Sequence, residues 1–145
     1  MQFENLAAPA PDVALSHIEM AGRRLDLHQQ FRLVGLTYSA EHDHATLGWS
    51  VVSSIRVVRG ARALPLEGLV FHFVGLGRFE IAFERPAGAL EYFEFRHDPE
   101  PMILWFFEGG TIRVSAQSFR ADFVVAGDND DSDMSGADTS TPIVQ

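Results

Sequence analysis

Apolar and polar residues alternate along much of the chain with a period of two, the mark of strands that bury one face. The clearest stretch is Pro101 to Val125, PMILWFFEGGTIRVSAQSFRADFVV. Gly109-Gly110 between two apolar runs predicts a two-residue hairpin turn, because the central residues of such turns need positive φ. That turn sets Phe107 opposite Ile112, Trp105 opposite Val114 and Ile103 opposite Ala116, which makes one face apolar throughout. A second turn at Gln117-Ser118 returns Phe119 to Val125 as a third, solvent-facing strand, with Val114 opposite Ala121. On the other face Met102, Leu104 and Phe106 give way to Arg113, Ser115, Arg120 and Asp122, so Ile103 to Phe107 reads as an interior strand.

The same alternation recurs upstream. Residues 1–11 read as a loose lead-in punctuated by Pro9 and Pro11. Asp12 is a candidate cap for a short helix through Met20, although VALSHIEM also alternates as a strand would. Gly22-Arg23-Arg24 reads as a turn. Phe31 to Ser39 and Ala45 to Val52 form a hairpin joined by AEHDH, and Ile55 to Val58 either continues it or starts another strand. Leu66 to Arg85 reads as a second hairpin folded at Gly75-Leu76-Gly77, which pairs Phe73 with Phe79, Phe71 with Ile81 and Leu69 with Phe83. In that register His72 stands opposite Glu80. Leu90 to Arg96 is a strand with a bulge at Tyr92-Phe93.

Eight strands at short, regular spacing predict an all-β fold: an antiparallel two-layer sandwich, or a strongly bent sheet or barrel. The domain is expected to span residues 1–126, with Trp49, Leu69, Phe71, Phe73, Ile81, Trp105, Phe107, Ile112, Val114 and Phe123 buried together. Residues 127–145 contain five aspartates and no arginine, and are expected to form a disordered acidic tail.

Composition narrows the chemistry. The 145 residues contain no cysteine, which removes thiol catalysis and cysteine-bound zinc and suits a reducing, cytoplasmic setting. All eleven basic residues are arginine, which excludes a Walker-type phosphate loop and a Schiff-base lysine. A formal net charge of −9 argues against nucleic acid and anionic membranes as partners and favours a basic protein. No apolar run approaches the roughly 18 residues of a membrane span.

Three constellations carry candidate chemistry. His42 and His44 in EHDH, with His72 beyond Gly60, Pro65 and Gly68, suggest a cupin-like metal site. Gly48 stands where that pattern needs a glutamate, however, and the Gly68 to His72 spacing is one residue too long. The competing reading is a solvated hairpin tip. His72 with Glu80 across the strand forms a candidate general base and its orienting carboxylate, or an ordinary cross-strand pair. Asp131, Asp133, Ser135 and Gly136 match the first half of a calcium loop, but Pro142 occupies the place of its closing glutamate.

The expected function follows from what remains. Glu84 and Glu91 are expected to face each other across the Pro86 turn, and with Glu80 and Glu94 to form one exposed acidic edge. That edge would bind a basic protein partner, with no metal and no cofactor. In size and acidity the chain is similar to bacterial toxin-immunity proteins, a likeness that no motif carries; it implies an immunity or inhibitor role. The alternative is a metal-dependent or small-ligand-binding β-barrel enzyme built on His42, His44 and His72.

Overall fold

Two long strands carry the fold in the computed structural model, which describes residues 1–125. β7 (Arg62–Phe83) runs for 22 residues and β10 (Gly110–Val125) for 16. They pair antiparallel from Phe83 opposite Gly110 to Leu66 opposite Val125. β4 (Phe31–Ser39), β5 (His44–Val51), β8 (Leu90–Arg96) and β9 (Met102–Phe107) complete the sheet in the order β4-β5-β7-β10-β9-β8. The sheet curls into a half-barrel, so the all-β, strongly bent fold expected from the alternation is the one observed. β1 (Gln2–Glu4) lies parallel to β10, β6 (Arg56–Arg59) pairs with the start of β7, and β2 (His17–Met20) and β3 (Arg23–Asp26) form a separate hairpin. The expected acidic tail and the half calcium loop lie outside the described residues.

Neither of the two expected hairpins along β7 and β10 exists. The glycines at 75 and 77 do not reverse the chain; Gly75 adopts φ 72° and Gly77 is skipped in the register, so β7 bends there and continues. On β10 the segment opposite is Ser115 to Ser118, the place where a second turn was expected. Both turn signals therefore mark a single bend shared by two neighbouring strands, since glycines and a bulge accommodate strong coiling as readily as reversal. Phe73 consequently meets Phe119, Phe71 meets Ala121 and Leu69 meets Phe123. β10 is interior rather than solvent-facing.

The hairpin between β9 and β10 is present, but its turn is Glu108-Gly109, with Gly109 at φ 103°. Trp105 thus faces Ile112 and Ile103 faces Val114, a slip of two residues from the expected register. A slip of two leaves every side chain on its expected face, whereas a slip of one would have inverted the strand. The β4–β5 hairpin forms as expected except that His44, expected in its connection, is already part of β5 opposite Ser39, and the β8 irregularity falls between Leu90 and Tyr92.

The concave face holds the core. Trp105 is fully buried, with Phe93, Phe71 and Trp49 at ring separations of 5.0, 5.7 and 5.9 Å. Nine of the ten residues expected to be buried together are buried or partly buried against this cluster; Ile81 is the exception, 48% exposed. The N-terminal segment lines the cluster, contrary to its reading as a loose lead-in. Within residues 1–11, Phe3 packs edge-on against Phe95 at 5.1 Å and Leu6 is buried; beyond them Ile18, Met20, Leu25 and Leu27 are buried as well. The candidate helix through Met20 is instead β2. Ala21 and Gly22 both take positive φ, 51° and 75°, and make the tight turn into β3 in place of Gly22-Arg23-Arg24. Amphipathic alternation over so short a stretch fits a strand as well as a helix, and burial of Ile18 and Met20 on one side decides for the strand. No helix among the described residues is long and apolar enough to cross a membrane.

Truncating Trp105 to alanine removes the ring that several core aromatics share and leaves a cavity, so Trp105→Ala is expected to cost about 3–5 kcal/mol in urea melts. The indole Nε1 is buried without a partner among the described residues. Trp105→Phe, which removes that unsatisfied donor while keeping a ring, is expected to cost less than half as much.

Candidate functional site

The convex face of the sheet carries a polar cluster made from three strands. β5 supplies His44, β7 His72, and β10 Arg120 and Asp122. On β7 the residues at 69, 71 and 73 point into the core, so His72 points outward by the period of two, and on β10 the buried Phe119 and Ala121 put Arg120 and Asp122 outward in the same way. The imidazoles of His44 and His72 stack, 7° from parallel with centroids 5.5 Å apart. Nδ1 of His72 lies 3.4 Å from Nε2 of His44, and Nε2 of His72 lies 3.3 Å from Oδ2 of Asp122. Arg120 Nε donates to that same oxygen at 3.1 Å, and Asn5 Nδ2 donates to Oδ1 at 3.2 Å.

Burial pushes the His72 pKa below its ordinary value of 6.5, and the neighbouring Arg120 guanidinium and His44 push in the same direction, against the pull of Asp122. Neutral His72 is therefore the favoured form at pH 7. An imidazole held by a carboxylate and facing a second imidazole can relay a proton, but catalysis needs a substrate group or nucleophile within reach. Among the described residues the ring nitrogens of His44 and His72 make their hydrogen-bond contacts with each other and with Asp122. The nearby hydroxyls of Thr37 and Thr46 are in contact with one another.

His44 and His72 come together as the alternative metal reading required. His42 does not join them; it sits in the tip between β4 and β5, beside Glu41 at 3.8 Å. No group of three His, Cys, Asp or Glu residues able to hold a metal occurs among the described residues. The carboxylate at His72 is Asp122, not Glu80. The cause is the register: β7 pairs with β10, which sets Glu80 opposite Arg113. Finding Asp122 from sequence required knowing that two strands some fifty positions apart are neighbours, and no local signal encodes that.

The four glutamates do not form one edge. β10 and β9 stand between β7 and β8, so Glu80 and Glu84 are separated from Glu91 and Glu94 by the width of two strands. Glu84 and Glu91 do not face each other as a strand pair. They nevertheless reach the same end of the sheet, because the 84–89 connection crosses over the β9–β10 turn. Glu84 N donates to Gly109 O at 2.9 Å, Gly88 N to Glu108 O at 2.8 Å, and Glu108 N to Ala89 O at 2.9 Å. That crossing adds Glu108, which the alternation pattern did not single out. Glu80 lies 3.5 Å from Arg78, and Glu94 accepts from Arg96 Nε and Nη2 at 2.9 and 2.7 Å, so the charge of Glu94 is largely matched.

No known protein family, curated protein or solved structure matches the chain.

The His72 cluster makes a pH prediction. The unfolded chain takes up a proton at this histidine more readily than the folded one, so the site's contribution to stability is fully present above about pH 6.5 and is lost as pH falls through the lowered folded value. Thermal melts of wild type and His72→Gln between neutral and mildly acidic pH are expected to show a shallower acid-side loss in the variant. NMR titration is expected to place the His72 midpoint below 6.5, and to move it further down in Asp122→Asn.

Proposed function

We propose that this protein is a small binding module that captures a basic protein partner, in the manner of an immunity or inhibitor protein that covers a basic surface. The observation that carries the reading is the crossing of the 84–89 connection over the β9–β10 turn, which brings the backbones of Glu84 and Glu108 to the end of the sheet where β8 starts with Leu90 and Glu91. Glu84, Glu91 and Glu108 are all exposed. Three carboxylates brought to one end of a rigid sheet attract a basic surface, speed its encounter and fix its orientation, with modest effect on affinity from each charge alone. The charge of the whole chain supports the same direction. Residues 1–126 carry fifteen acids against eleven arginines, and the following segment adds five aspartates.

Association kinetics of the basic partner with wild type and with Glu91→Gln/Glu108→Gln test the reading. The double variant is expected to keep its melting temperature, to associate several-fold more slowly, and to lose much of the salt dependence of that rate. An unchanged rate with unchanged salt sensitivity would remove this end of the sheet as the binding surface.

A further inference from the structure

β7 outruns its neighbour on one side. β5 and the turn before it accompany β7 only as far as Leu76, where the Asp43 carbonyl accepts hydrogen bonds from Gly75 N and Leu76 N at 3.1 and 3.3 Å. From Gly77 to Phe83, β10 is the one strand paired with β7 among the described residues. The backbone groups on the open side can be assigned. Glu84 N donates toward Gly109, and the Ala82 carbonyl lies against Gly110, so from Arg78 onward, past the bulge, the even-numbered residues direct their backbone groups to β10. Phe79, Ile81 and Phe83 therefore direct theirs to the open side.

The other margins of the sheet are guarded. The outer edge of β8 is covered by residues 11–15, with Asp12 N and Leu15 N donating to Phe95 O and Phe93 O at 2.8 and 2.9 Å, and Phe93 N donating to Leu15 O at 2.7 Å. The outer edge of β4 is broken by an irregularity at Val34. Beyond the bulge at Gly77, the stretch of β7 from Arg78 to Phe83 has neither device. Alongside it runs a groove of about 450 Å³ lined by Leu36, Tyr38, Asp43, Leu76, Phe79 and Ile81. Tyr38 is 57% exposed and stacks on Phe79 at 5.8 Å, and Ile81 stands half-exposed beside them.

The segment Arg78-Phe79-Glu80-Ile81-Ala82-Phe83-Glu84 is complementary to itself when reversed about Ile81. Pairing two copies antiparallel about a two-fold axis there sets Ile81 against Ile81, Phe79 against Phe83 and Arg78 against Glu84, and leaves Glu80 against Ala82. Phe79 and Ile81 share a face with the buried Val114 and Ile112 opposite them, so the paired apolar side chains of both copies would meet on one face and the charged ones on the other. The neighbouring registers are worse: centring on Glu80 brings two glutamates together at the axis, and centring on Ala82 sets Glu80 against Glu84 twice.

The geometry points to a homodimer formed by antiparallel edge pairing of β7 about Ile81, which joins two half-barrels into one continuous sheet. Such an interface is isologous and closes with two copies, so it satisfies an exposed edge without propagating into a fibre. It does not rest on the binding proposed above: the two surfaces share Glu84, while Glu91 and Glu108, the residues changed in the binding test, stay outside the paired strands.

Light scattering and sedimentation of the full chain over a concentration series test the dimer, with circular dichroism melts confirming that each variant folds. Wild type is expected to dimerise. Arg78→Glu and Glu84→Arg are each expected to raise the dimer dissociation constant about tenfold or more, since each turns two symmetric attractions into repulsions. The combined exchange is expected to restore dimerisation. Ile81→Lys, which places two like charges together at the axis, is expected to give a folded monomer. A wild-type chain that stays monomeric at every concentration would overturn the proposal. So would a dimer indifferent to both charge reversals, or a combined exchange that fails to restore it.

Discussion

The structure depends on the uninterrupted antiparallel pairing of β7 with β10 and on the bend those two strands share. Without Gly75 at positive φ and Gly77 skipped in the register, strands this long would lie flatter and leave the aromatic side chains facing solvent. With the bend, the sheet wraps around Trp105 and brings rings from β5, β7, β8 and β10 to its indole. A Cβ on Gly75 would stand 2.8 Å from the Gln117 side chain, so the bend is also tightly fitted. The same feature makes β7 overshoot β5, because the β4–β5 hairpin ends where the bend begins.

Much of this was legible in the sequence, and the limits have physical causes. Alternation is a parity signal: it assigned the inward residues of β9 and β10 correctly even though the turn sits at Glu108-Gly109 instead of Gly109-Gly110, since a shift of two preserves faces. Parity carries no information about whether a glycine-containing break reverses the chain or bends it. Leu69, Phe71 and Phe73 would face the core in either case, and the two topologies differ only in which distant strand lies alongside. Ile81 was expected in the core for the same reason; its side chain faces the correct way, but the strand there has passed beyond the elements that cover the rest.

The candidate site shows the same division. His44 and His72 could be suspected from residue type, and they do meet. Their carboxylate partner Asp122 and the approach of Glu108 to the 84–89 connection follow from long-range pairing alone. The acidic residues expected on one edge are distributed over two separated strands, and what reunites Glu84 with Glu91 is a loop crossing that no periodicity describes. Among the described residues, the polar cluster on the convex face holds an imidazole in contact with His44 and Asp122, while the open edge of β7 lies elsewhere on the sheet.

Solution NMR tests the central pairing most directly, through the side-chain contacts of the core phenylalanines. Strong nuclear Overhauser contacts are expected between Phe73 and Phe119, whose rings are 4.6 Å apart, and between Phe71 and the methyl of Ala121. Phe73 and Phe79 lie six residues apart along one strand, roughly 15–20 Å if extended, and are predicted to show none. Contacts joining Phe73 to Phe79 and Phe71 to Ile81 in their place would mean that the chain reverses at Gly75-Gly77, and would contradict the shared bend, the curl of the sheet and the open edge together.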